Sequence, residues 1–192
     1  MHRREFLLAT AGAVLVKEDI PAYLKRTKGD FDLTRYRQLL GSANEFKEGD
    51  AAAGVAAPNA AARAEARALL ANTRIGWLAS HSVYDDSLAT YIRRGVDATA
   101  AGRINQWTLG ELKQHLLNDP PEAIEPILPG LPSDVIACAV KLMTNAELIA
   151  ASRKIFHPLP GSQIGARGYL SARIQPNSPT DDVDDIQWQV FN

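Results

Sequence analysis

Arg173 and Gln175 stand two residues apart in Gly168-Tyr-Leu-Ser-Ala-Arg-Ile-Gln-Pro-Asn177. In an extended strand alternate side chains share a face, so Tyr169, Ser171, Arg173 and Gln175 would point one way. Leu170, Ala172 and Ile174 would point the other. The guanidinium donates through a rigid planar fork and the carboxamide both donates and accepts. With backbones about 7 Å apart, the two tips can converge on one small polar molecule. Pro176 lacks a ladder donor and would end the strand. The pair then lies at the strand's C-terminal end, where barrels and open parallel sheets bind their ligands. An edge strand with a solvated Arg and Gln satisfies the same pattern, and residue types alone do not separate the two.

Other reactive side chains have bland readings. Cys138 in Val135-Ile-Ala-Cys-Ala-Val140 reads as a small buried side chain. His2, His81, His115 and His157 share no metal-ligand spacing, and no metal site is expected. His115 follows Glu111 by one helical turn, which suggests a surface pair. Asp85 and Asp86 suit a helix N-terminus, and Arg93 and Arg94 its C-terminal end. There is no G-x-S-x-G elbow, Walker A loop or G-x-G-x-x-G run. Gly161-Ser-Gln-Ile-Gly-Ala-Arg-Gly168 is glycine-rich but precedes a strand, the wrong order for phosphate binding at a helix N-terminus. No residue is assigned a catalytic role.

The elements that must carry these groups are mostly helices. The 192 residues are 46% hydrophobic and 22% charged, which suits a globular chain with a sizeable core. Twenty-one basic and 22 acidic side chains give a net charge of −1, with no footprint for nucleic acid. No run reaches the roughly 20 apolar residues of a membrane span. Residues 1–28 read as an extension: Arg3 and Arg4 before a short apolar run resemble a twin-arginine export signal, and Tyr23 to Gly29 reads as linker. Residues 29–160 form the expected helical domain. Leu33, Tyr36, Leu39 and Leu40 mark a core stripe, and Asn59 caps an alanine-rich helix reaching Asn72. Leu88, Tyr91 and Ile92 mark another stripe. Thr108 and Glu111 form a capping box ahead of Leu109, Leu112, Leu116 and Leu117. Ser133 caps a helix to about Met143, and a second box, Thr144 to Glu147, opens a helix ending near Lys154. Residues 161–192 hold the strand described above.

The words of the sequence add to this pattern. Ser171-Ala-Arg-Ile-Gln-Pro-Asn177 followed by Thr180-Asp-Asp-Val183 resembles the ethanolamine ammonia-lyase heavy (large) chain. Ala43-Asn-Glu-Phe-Lys-Glu-Gly-Asp50, Ala53 to Ala57, Tyr84-Asp-Asp86 with Tyr91-Ile92, Asn105-Gln-Trp107 and Lys141 to Ile149 follow in that family's order. The resemblance runs from about Phe31 to Ile186. It implies a mainly α chain: a helical N-terminal domain followed by the first strand of a truncated TIM-type (β/α)8 barrel. A complete barrel takes about 250 residues, so a chain of this length cannot close one. The resemblance also implies conversion of ethanolamine to acetaldehyde and ammonia by an adenosylcobalamin radical, with Arg173 and Gln175 as substrate ligands. It implies the light chain and further heavy chains as partners, and a cytoplasmic location. The arginine pair offers export to the periplasm as the alternative. Taken alone, the 192 residues are expected to be inactive; a non-catalytic helical module that binds other lyase subunits is the competing reading.

Overall fold

A computed structural model of the chain describes residues 18–156, 161–169, 182–184 and 187. The chain divides into two units, Met1–Ala151 and Ser152–Asn192. Among the described residues the first is built from helices and tight turns, with no strand beyond an isolated bridge between Arg74 and Thr108. The mainly α expectation therefore holds. The expected barrel strand falls almost entirely outside the described residues.

The described residues open with α1 (Ile20–Lys28), where a linker is expected from sequence. Asp19 caps it by accepting from the Ala22 amide, and Gly29, with φ at 83°, closes it onto the Lys25 carbonyl. Its cations Lys25, Arg26 and Lys28 give it the look of a linker, yet they lie away from a buried stripe of Ile20, Tyr23 and Leu24. Spacing of i, i+3, i+4 is the minimum a helix needs to bury one side.

Next come α2 (Leu33–Ser42), α3 (Glu48–Ala52) and α4 (Ala60–Asn72). Tyr36 and Leu39 enter the core as expected, whereas Leu33, in the first turn of α2, is exposed. Asn59 caps α4 through the Ala62 amide. α4 packs on α1, on α2 and on α8 (Leu109–Asn118). Thr73, fully buried at the end of α4, ties α1 down. Its hydroxyl donates to the Leu69 carbonyl at 2.8 Å and accepts the Ile20 amide at 3.0 Å. Thr73→Val should leave that amide buried without a partner and cost about 1–3 kcal/mol, while Thr73→Ser should keep most of it. Urea denaturation of the two variants checks this, and a valine variant as stable as the parent would refute it.

α5 (Ile75–Ser80) and α7 (Ala98–Ile104) flank α6 (Ser87–Arg94). Three main-chain bonds, each 2.9 Å, join the turn before α5 to the turn before α8: Ile75 N–H to Trp107, Gly76 N–H to Asn105, and Leu109 N–H to Thr73. The Thr108–Glu111 capping box forms in full. Leu109, Leu112 and Leu116 are buried below it, and α8 packs on α4 and α10 (Ser133–Lys141). Pro132, rather than Ser133, occupies the cap position of α10, and no side chain caps it. α9 (Pro121–Ile124) runs into a 3-10 segment (Glu125–Gly130) that packs on α7. The Thr144–Glu147 box opens α11 (Asn145–Ser152).

The expected α6 stripe is a correction. Asp86 caps the helix and Arg93 and Arg94 occupy its last turn, as the charge pattern indicates. Yet Leu88 is 65% exposed and Tyr91 74% exposed, with Ile92 also on the surface. Periodicity identifies an apolar face but not whether another element covers it. No described helix is long and apolar enough to cross a membrane.

In the second unit, residues 161–169 form successive turns. Gly161, Gly165 and Gly168 hold φ between 74° and 84°, a region costly for side chains with a Cβ. Val183, Asp184 and Gln187 are helical.

Candidate functional site

Arg173 and Gln175 lie outside the described residues, as do Arg3 and Arg4 and His157. Within the first unit, a cavity of about 350 Å3 opens between α2, α10, the segment around α3 and the loop after α5. Two helical stripes build it. Tyr36, Leu40 and Asn44 recur at i, i+4 and i+8 at the cavity side of α2, the last just past its end. Asp134, Cys138 and Lys141 recur at i, i+4 and i+7 on α10. One further wall depends on Gly41. A Cβ there would lie 2.6 Å from the Val55 side chain, so glycine lets the segment after α3 close against α2.

At one end of the cavity, Lys141 Nζ donates to Asn44 Oδ1 at 2.5 Å, and Asn44 Nδ2 donates to Asp50 Oδ2 at 2.7 Å. The carboxamide thus relays between cation and carboxylate. Burial holds the Lys141 ammonium below its ordinary range, while Cys138 and Asp50 act against that shift. At the other end, Tyr36 stands among Phe31 and Trp77, ring centroids 5.8 and 5.3 Å away. Burial raises its phenol well above the usual range, with Cys138 and Asp134 adding to the shift. Burial likewise pushes the Cys138 thiol up to about 11, with Lys141 opposing and Asp134 assisting. A thiol in that range is almost wholly protonated at neutral pH, so Cys138 is a packing residue here and not a nucleophile.

The two described histidines, His81 and His115, find aromatic and acidic partners. His81 stacks on Trp77 at 4.1 Å, and its Nδ1 lies 2.9 Å from the Trp77 carbonyl oxygen. His115 stacks on Trp107 and pairs with Asp119, one turn onward, at 2.6 Å. Asp85 meets Arg93 at 3.5 Å on the surface. Among the described residues no three His, Cys, Asp or Glu side chains are grouped to hold a metal ion. Sequence reading placed Tyr36 in the core and gave Asn44, Asp50, Asp134 and Lys141 no role. Polar residues recurring on the buried stripe of α10 were the available signal.

Comparison with known proteins adds to this geometry. Residues 31–192 match the family model for the ethanolamine ammonia lyase large subunit (EutB). The chain is 33% identical over 164 residues to the ethanolamine ammonia-lyase large subunit of Escherichia coli strain K12, and 32% identical to that of Salmonella typhimurium strain LT2. These alignments cover 81% of this chain and 36% of each relative, so the chain spans about a third of the length of the curated relatives it matches.

Proposed function

We propose, from the premise that this chain belongs to the ethanolamine ammonia-lyase large-subunit family, that it is the N-terminal part of an adenosylcobalamin-dependent heavy chain. The reaction is the conversion of ethanolamine to acetaldehyde and ammonia. The observation that carries this reading is the extent of the family match, which takes in Arg173 and Gln175 as well as the helical unit. On this reading residues 161–192 begin a TIM-type barrel, and the pair projects from its first strand toward substrate. Arg173 donates to the substrate hydroxyl and stabilises negative charge on that oxygen as the amino group leaves carbon. The Gln175 carbonyl accepts from the substrate ammonium.

Adenosylcobalamin does not fit what the described residues offer. A corrin ring with its adenosyl ligand is several times larger than the cavity of about 350 Å3 beside α2 and α10. The part assigned to this chain is therefore to hold substrate. Further heavy-chain residues, other heavy chains and the light chain supply the rest, and the assembly works in the cytoplasm. Export through the twin-arginine route is the alternative, and a change of compartment on replacing Arg3 and Arg4 with lysine would establish it.

The test joins these residues to the remaining part of the Escherichia coli large subunit and assembles the product with the light subunit. Arg173→Ala should lower kcat/KM about tenfold to a hundredfold, the effect of removing a charged hydrogen bond made to the reacting molecule. The 192-residue chain by itself should release no ammonia from ethanolamine. An Arg173→Ala assembly as active as its parent would remove the substrate assignment. The uncovered apolar face of α6 favours a second reading, a non-catalytic module that binds other lyase subunits. Tight subunit binding by the 192-residue chain, with an inactive fusion, would select it.

A further inference from the structure

The exposed side of α6 has a definite order of charge and apolar surface. Asp85 and Asp86 stand before the helix; the Asp85 side chain is 97% exposed, and Asp86 keeps one carboxylate oxygen on the Ala89 amide at 2.7 Å. Leu88, Tyr91 and Ile92 follow at i, i+3 and i+4, exposed, with Tyr84 exposed in the loop before them. Residues 1–17, which precede the described ones, carry a matching order of opposite sign. Arg3 and Arg4 are followed, after Glu5, by eleven uncharged and mostly apolar residues from Phe6 to Val16. Reach does not limit a meeting of the two. The Glu18 carbonyl accepts from Asn72 Nδ2 at 3.2 Å, so the segment starts beside the end of α4. Followed along the chain through α5, Asn72 and Asp85 are at most about 36 Å apart, whereas the 14 residues from Glu18 back to Arg4 extend to roughly 46 Å.

We propose that the N-terminal segment docks on the α6 face of its own chain, with Arg3 and Arg4 against Asp85 and Asp86 and the apolar run over Leu88, Tyr91 and Ile92. The size of the face favours this occupant over a second copy. Four partly exposed side chains fall short of the roughly 800 Å2 per partner that a standard interface buries. A tethered segment needs less, because attachment to the same chain supplies an effective concentration of about millimolar. The two carboxylates disfavour an anionic lipid surface. Docking goes beyond the lyase reading and does not depend on it; a subunit using the same face would have to displace the segment.

Alkylation of a single thiol tests this. Cys138→Ala removes the native cysteine and Leu88→Cys places one on the α6 face of the 192-residue chain, whose labelling by iodoacetamide is followed by mass spectrometry. On that background Leu8→Asp/Val14→Asp should speed labelling about tenfold or more, as loss of apolar burial would. Arg3→Asp/Arg4→Asp should speed it about threefold, the effect of losing exposed ion pairs, and Asp85→Lys likewise. Combining the two reversals should return labelling toward the parent rate, with helix content by circular dichroism unchanged throughout. Equal rates in the parent and every N-terminal variant would overturn the proposal, as would a combined variant that labels as fast as either reversal alone. A rate that falls as the protein is concentrated, and ignores the N-terminal changes, would overturn it in favour of a second copy.

Discussion

Gly130→Ala should lower stability by about 3 kcal/mol, the upper end of what overpacking a core costs. The added Cβ would sit 2.3 Å from the Ala101 amide nitrogen and 2.5 Å from the Ala100 carbonyl carbon. Those are main-chain atoms of α7, so no side-chain rotation relieves the contact. The 3-10 segment cannot easily retreat, because Asp97 N–H donates to the Pro129 carbonyl at 2.9 Å. In a chain of this size about 3 kcal/mol corresponds to roughly 6–12 °C in Tm, readable by circular dichroism during heating. Gly102→Ala is the control. It lies in the same helix α7, a Cβ there meets nothing within 4 Å, and the change should be neutral or stabilising by up to about 1 kcal/mol. Equal effects at the two glycines would show that close approach is not what requires Gly130.

The second large effect is expected at Leu112, which is fully buried on α8, the helix that joins α4 to α10. Leu112→Ala removes three buried carbons from a position backed by packed helices on two sides. Its cost should be about 2–5 kcal/mol, part transfer and part residual cavity. Leu112→Met, nearly equal in volume, should cost less than about 1.5 kcal/mol. Urea melts would show the alanine variant with a lower midpoint and an unchanged slope. A midpoint shift no larger than that of the methionine variant would mean that α8 is not the packing centre described here.

These positions differ in how far the sequence disclosed them. The caps at Asn59, Thr108 and Thr144 are legible because each is a bond between residues three apart. The α8 stripe was legible for a similar reason, its spacing being that of one helix face. What escaped depends on other segments. Tyr23 to Gly29 looks like linker because its cations outnumber its apolar residues, and the approach of α4 and α2 gives the apolar side of α1 something to be buried against. Leu88 and Tyr91 have the periodicity of a core stripe with no described element over them. The cavity needed both failures repaired at once. Tyr36 is 98 positions from Asp134 (134 − 36), and nothing local in either helix announces that they line one space.

The three main-chain bonds between the turns preceding α5 and α8 are written in peptide atoms, so they are indifferent to which side chains stand at Trp107 or Asn105. They are not indifferent to counting. A single residue gained or lost in either turn would shift every donor off its acceptor, so drift in this part of the molecule is free to change letters but not spacing.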